Sequence, residues 1–414
     1  MSGFPDSGAR AMAQGNTGAV ARFFSDGWRV FFTAAALYAV FSLIVWTGWL
    51  GIHAAGGIVS DLPFSPPPHL WHAHEMVFGY PAAAMGGFFL TAVPNWTGTP
   101  AARRGFVVTV AALWLAGRLG IWFSGSLPVV MVAALDLAFL PVLAAKILGQ
   151  LLKRPKPQNM MFLGVLALIW AGNLMVHLDW AGVTGSGAEG LRLGLFATCG
   201  LIVVLGGRVT PAFTRNAMTR AGITQRLPQS RLSLDMAVIA LTLLTALAAG
   251  LSLPGPVFAA LALAAGSAQL LRGAFWRPLW TWNQPILWVL HLGMALLGLG
   301  LILSGLAALG LGSEVAALHL LGIGAVGVMT LAVMSRAALG HGGHALVAPF
   351  PVALAYALLV LSALARWAGS SLGVEHYYAG VLGAGLLWVL AFALAAAALW
   401  PVLTGPRAQT AAAD

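Results

Sequence analysis

The chain has 414 residues, of which 60% are hydrophobic and only 8% are charged. An ordinary soluble domain carries about 25% charged residues, so this composition excludes a soluble fold. The net charge is +10, but the basic residues lie between apolar runs, where they encode membrane orientation. The excess of positive charge therefore does not indicate binding to nucleic acid.

Twelve apolar runs, each long enough to cross a bilayer with about 20 residues, follow one another along the chain. They lack the alternating pattern of an outer-membrane barrel. We therefore predict an all-α, polytopic integral membrane protein with 12 transmembrane helices. The predicted spans are residues 30–52, 74–95, 105–123, 127–149, 159–180, 190–213, 232–251, 254–271, 281–309, 315–339, 347–367 and 377–400.

Basic residues mark alternate loops. Arg103 and Arg104 follow the second span, whereas the intervening regions hold almost no Lys or Arg apart from Arg192 and Arg366. By the positive-inside rule both termini are cytoplasmic. We predict one transmembrane domain over residues 28–402, with flexible cytoplasmic tails at 1–27 and 403–414.

The second span opens with two histidines. A proline-rich segment, ending at Pro68, precedes them and predicts extended chain that delivers them to the outer surface. On a regular helix His72 and His74 point about 200° apart. They share one metal only if His72 still lies in extended chain; otherwise they serve two different partners. The next residue, Glu75, is a candidate metal ligand, imidazole acceptor or proton carrier.

Histidines in other spans share a helical face with polar or aromatic residues. Trp170, Asn173 and His177 follow the spacing of one helical face. For a histidine in a helix bundle, a hydrogen bond to a neighbouring helix competes with metal ligation as the explanation.

The ninth and tenth spans carry three further histidines. His291 follows Trp288 by three residues in the ninth span. His319 and His341 are 22 residues apart in the tenth, or roughly 33 Å along a helix, so they cannot bind the same metal. Tight helix packing with interfacial histidines is the alternative to two separate sites.

Several charges fall inside predicted spans, among them Arg118, Asp136 and Arg208. Arg118 and Arg208 are candidates to bind the propionates of a haem, whose carboxylates suit the planar guanidinium group. An ion pair between Arg118 and Asp136 is the alternative.

Several segments are long and unusual enough to identify a family. Residues 72–80 read HAHEMVFGY and residues 86–98 read GGFFLTAVPNWTG. These segments resemble the signature of the NnrS family. The resemblance continues at residues 207–214, 288–291, 329–336 and 339–343, and so covers nearly the whole chain.

The resemblance implies a bacterial inner-membrane protein that contains haem, with copper also reported for the family, and that acts in the nitric oxide response and denitrification. The chain has one cysteine and therefore no CxxCH motif, so haem would be non-covalent and b-type. The histidines that match family positions are the candidate metal and haem ligands: His72, His74, His177, His291, His319 and His341.

We expect the protein to bind nitric oxide (NO), or to turn it over, at a histidine-ligated metal within the bundle. Turnover would require an electron donor, and Glu75 is the candidate for proton delivery. The alternatives are a secondary transporter that uses its histidines as proton relays, and a non-enzymatic NO sensor.

Overall fold

The computed structural model describes residues 18–408 and is 79% helical, with no strand among those residues. All twelve predicted spans are helices of membrane-spanning length and apolarity, so the predicted fold class is confirmed. We number them α1 Gly27–Ala54, α2 Pro68–Thr97, α3 Arg104–Trp122, α4 Val129–Leu151, α5 Pro157–Trp180, α6 Gly187–Arg220, α7 Leu232–Gly250, α8 Gly255–Ala274, α9 Pro285–Ala308, α10 Glu314–His341, α11 Phe350–Gly369 and α12 Val374–Thr404.

The predicted tails include structured segments. A short helix, Ala19–Phe23, precedes α1, and α12 continues to Thr404. Arg29 donates to the carbonyls of Leu403 and Gly405 at 2.8 and 2.9 Å, which satisfies acceptors left free at the end of α12. The rest of the predicted tails, residues 1–17 and 409–414, lies outside the described residues.

Small residues bring neighbouring helices together. A Cβ atom added at Gly172 in α5 would lie 2.6 Å from the carbonyl oxygen of Gly190 in α6, and one added at Gly369 in α11 would lie 2.7 Å from Cα of Gly380 in α12. In lipid, helices associate through such close backbone packing because burial of apolar surface gives no net driving force. The helices α2, α6, α9 and α10 are the most deeply buried.

Two of these central helices contain π-helical turns. In α2 the π-helical segment is Glu75–Gly79, directly after His74, and in α10 it is Leu320–Gly327, directly after His319. A π-helical turn widens the helix, so it changes the direction of the side chains that follow, and such turns occur often at functional sites. The hydroxyls of Tyr80 and Thr330, just beyond the two segments, are hydrogen-bonded to each other and link α2 to α10.

Candidate functional site

His72 and His74 lie within the first turns of α2 and point to different sides of it. The helix begins at Pro68, a position that tolerates proline because no backbone donor is needed there. The predicted extended entry segment is therefore wrong at this point, and the two histidines serve different partners. His74 is fully buried instead of lying at the surface.

An ion network lies on the His74 side of α2, at the end of the bundle opposite the termini. Arg118 in α3 donates to Glu75 Oε2 at 2.5 Å and to Asp136 Oδ1. Tyr38 of α1 also donates to Glu75. Arg118 and Asp136 are each 5% exposed and Glu75 is fully buried, so the charges compensate one another in place of water. The predicted Arg118–Asp136 ion pair is confirmed.

Hydrogen bonds fix the orientation of His74. Its Nδ1 lies 2.8 Å from Glu75 Oε1, and its Nε2 lies 2.9 Å from Asn173 Oδ1. Asn173 donates its amide to Asp136 Oδ2 at 2.8 Å, which requires its oxygen to face His74. Both ring nitrogens of His74 therefore face hydrogen-bond acceptors.

His177 of α5 completes the cluster. Its Nε2 donates to Asp136 Oδ2 at 2.8 Å. Its Nδ1 is buried and has no hydrogen-bond partner within residues 18–408. The predicted face of α5 is confirmed, because Trp170 donates to Leu137 O at 3.1 Å in α4, beside the Asp136 that Asn173 and His177 both contact.

His74, Asp136 and His177 are close enough together to hold a metal ion. One ligand atom from each lies within 4.8 Å of the others. Asp136 Oδ2 is 3.3 Å from His74 Nε2 and 2.8 Å from His177 Nε2. Ligands at about 2 Å from a tetrahedral ion are roughly 3.3 Å apart, so a metal fits if it replaces the protons on the two imidazoles.

His72 lies beside His319 on the other side of α2. The two ring centroids are 6.4 Å apart and the planes differ by 11°. Trp46 stacks on His72 with a centroid distance of 4.8 Å. His319 Nδ1 donates to Val315 O at 2.7 Å, which leaves Nε2 as the acceptor or ligand atom of the neutral ring. The Nδ1 atom of His72 is buried without a partner in the described chain.

The other predicted ligands lie apart from these two clusters. His291 Nε2 is hydrogen-bonded to Thr214 of α6 at 2.9 Å, nearer the end of the bundle that carries the termini. The contact of His291 is therefore the alternative to metal ligation, a hydrogen bond to a neighbouring helix. His341 ends α10 at the same end, is exposed, and stacks on Trp28 with a centroid distance of 6.2 Å.

The two predicted propionate-binding arginines have protein partners. Arg118 is engaged by Glu75 and Asp136, which favours the ion-pair alternative. Arg208 donates to Asn159 Oδ1 at 3.0 Å and lies over the ring of Phe162, 5.0 Å from its centroid.

Sequence reasoning missed two aromatic residues of α1 that complete these clusters. Tyr38 hydrogen-bonds Glu75, and Trp46 stacks on His72. Nothing in the local sequence of α1 distinguishes them from other interfacial aromatics. Their eight-residue separation does place both on one helical face, which indicates that they share a neighbouring helix.

Comparison with known proteins gives one finding about the whole chain. The family model described as NnrS protein matches residues 22–407 of the 414. A search of curated proteins finds no match.

Proposed function

Because the chain belongs to the NnrS family, we propose that it is a haem protein of the nitric oxide response in the bacterial inner membrane. Membership fits a membrane protein of that response, and the family is associated with metal or haem binding. The observation that carries the proposal is that α2 presents His72 and His74 to different sides, each beside a histidine of another span.

His72 and His319 are the residues that would hold the haem iron. Two metal–nitrogen bonds of about 2 Å, together with the radii of both rings, separate the ring centroids by roughly 6 Å, close to the 6.4 Å between these rings. His319 donates Nδ1 to a backbone carbonyl, a contact that commonly orients a ligating histidine. A Cβ atom added at Gly322, one turn along, would meet nothing within 4 Å. These residues fit the group.

The His74–Asp136–His177 cluster is the proposed copper site. Imidazole nitrogen with carboxylate oxygen is a donor set that copper and zinc accept. Glu75 accepts from His74 Nδ1, so it would hold that ring in position once Nε2 has lost its proton. Metal binding there releases protons, and its affinity therefore rises with pH.

A haem held by these two imidazoles would bind NO only at a position that one of them vacates. The chain positions the imidazoles, and its apolar spans admit a small apolar molecule from the lipid. Glu75 lies seven residues from the start of α2, about 10 Å along the helix, and contacts both Tyr38 and His74. It is the proposed carrier of protons to the site if NO is turned over.

The test is an absorption spectrum with metal analysis on the purified full-length protein after expression with added haem. We expect a Soret band in the wild type, its loss in His72→Ala and His319→Ala, and its retention in His376→Ala, whose exposed histidine lies in the first turn of α12. Copper content should fall in His177→Ala without loss of the Soret band. A folded wild-type protein without a Soret band or bound metal would reject the proposal and leave the transporter alternative.

A second measurement separates turnover from sensing. If the protein is an enzyme, the wild type should consume NO faster than the His319→Ala variant when both are supplied with a chemical reductant. A Soret shift on adding NO, without consumption above that of the variant, would identify a sensor.

A further inference from the structure

Three arginines lie in the half of the bundle opposite the termini, where the loops carry no Lys or Arg. Arg118 is paired with Glu75 and Asp136, and Arg192 is paired with Glu314 at 2.7 Å. Arg366, near the end of α11, has no carboxylate partner within residues 18–408. An arginine in this position opposes the charge rule, so its location calls for a specific contact.

Arg366 is nearly buried, with 5% of its surface exposed. One guanidinium nitrogen donates to Ser370 Oγ, and the group lies over the ring of Tyr377, 5.9 Å from its centroid. An arginine has five N–H donors in a planar fork. Neither contact supplies a negative charge, and a charge in apolar surroundings is costly unless it is paired.

Arg366 also belongs to the surroundings of the His72–His319 pair. The helix that carries it, α11, packs against the first turns of α10, where His319 lies. A Cβ atom added at Gly324 of α10 would lie 3.5 Å from Cβ of Ala363, which precedes Arg366 by about one turn of α11. We therefore expect the counter-anion of Arg366 to belong to the group that His72 and His319 bind.

We propose that Arg366 binds a propionate carboxylate of the haem held between His72 and His319, and so acts as a positioning residue. This inference rests on the proposed function. A guanidinium fork binds a carboxylate through two parallel charge-assisted hydrogen bonds. It also assigns the carboxylate edge of the macrocycle to α11, and explains an arginine without a carboxylate partner at the end of the bundle where the loops carry no Lys or Arg.

The test compares Arg366→Ala and Arg366→Lys with wild type and with Arg192→Ala, a control that removes an exposed arginine from the same end. Haem retention is measured by transfer to excess apomyoglobin, and the midpoint potential by reductive titration. Arg366→Ala should bind haem about tenfold more weakly or worse, the loss expected for a charge-assisted hydrogen-bond pair. Its midpoint potential should fall, since a nearby cation favours the added electron. Arg366→Lys should restore the potential more than the retention, because lysine is a point charge.

Haem dimethyl ester, whose carboxylates are blocked, gives a second arm. Wild type should prefer haem to the ester, and Arg366→Ala should bind the two equally. The inference would be overturned if the Arg366 variants retained haem and kept the midpoint potential as well as Arg192→Ala does. It would also be overturned if Arg366→Ala preferred haem to the ester as strongly as wild type does. A wild-type protein that binds no haem would instead reject the proposed function. If Arg366→Ala does not fold, the ester experiment is done with Arg366→Lys instead. This variant should prefer haem to the ester less strongly than wild type does, and a preference equal to that of wild type would overturn the inference.

Discussion

Asp136 holds the buried ion network together at the level of single residues. It accepts from Arg118 through Oδ1 and from Asn173 and His177 through Oδ2, and it is 5% exposed. In a low-dielectric interior the removal of one charge leaves the opposite charge uncompensated, which costs more than the pair contributes when intact. The geometry of both histidines therefore depends on this carboxylate.

Asp136→Asn should lower the free energy of unfolding by about 3 kcal/mol, since it leaves Arg118 with Glu75 alone and places an amide donor against His177. Thermal unfolding in detergent measures the change. Arg192→Ala is the matched control: its pair with Glu314 is 37% and 51% exposed, and such surface pairs contribute about 0–1 kcal/mol. Equal losses in the two variants would contradict the importance given to the buried network.

Asn173 provides a test of orientation without a change in charge. Its amide donates to Asp136 Oδ2, so Asn173→Ala leaves every candidate ligand present but removes a contact that orients the Asp136 carboxylate. Loss of such a supporting contact typically weakens metal binding by about 10- to 100-fold. Copper titration of metal-free protein checks this, with the Soret band as an internal control. Copper affinity equal to wild type would show that Asp136 does not need Asn173, or does not bind the metal.

At the scale of helices, the glycines of α10 differ in what they contact. A Cβ atom added at Gly327 would lie 2.5 Å from the Trp388 ring of α12, and one added at Gly324 would lie 3.2 Å from Leu296 of α9. These two glycines serve the packing of protein against protein. Gly322, by contrast, faces open space near His319, so the glycine-rich sequence of α10 has two separate purposes.

Gly327→Ala and Gly322→Ala form a matched pair on one helix. Gly327→Ala should destabilise the protein by about 1–3 kcal/mol, because the Trp388 ring must move within a packed interior. Gly322→Ala should have little effect on the unfolding temperature, because the added methyl group enters free space. Differential scanning fluorimetry of both proteins measures the difference, and a larger loss in Gly322→Ala would reverse the assignment.

For the whole molecule, hydropathy and charge predicted the twelve helices because lipid permits little else for such a sequence. The ion pair of Arg118 with Asp136 and the shared face of Trp170, Asn173 and His177 were predicted as well, since they depend on neighbouring spans and helical periodicity. The partner of His72 was not predictable, because the approach of α2 to α10 depends on packing across the bundle. The π-helical turns after His74 and His319 have no sequence signal in regular 3.6-residue periodicity.

The orientation of the whole bundle is the remaining prediction, and the buried Cys199 makes it testable. Because the native thiol is inaccessible, a cysteine introduced at an exposed loop position labels without background from it. Ile58→Cys lies in the loop before α2, 85% exposed, and Leu279→Cys lies between α8 and α9 at the other end, 87% exposed. With cytoplasmic termini, a membrane-impermeant maleimide should label Ile58→Cys in intact spheroplasts and Leu279→Cys only after lysis. The reverse pattern would place the termini, together with the Arg-rich loops, on the outer side and contradict the charge rule.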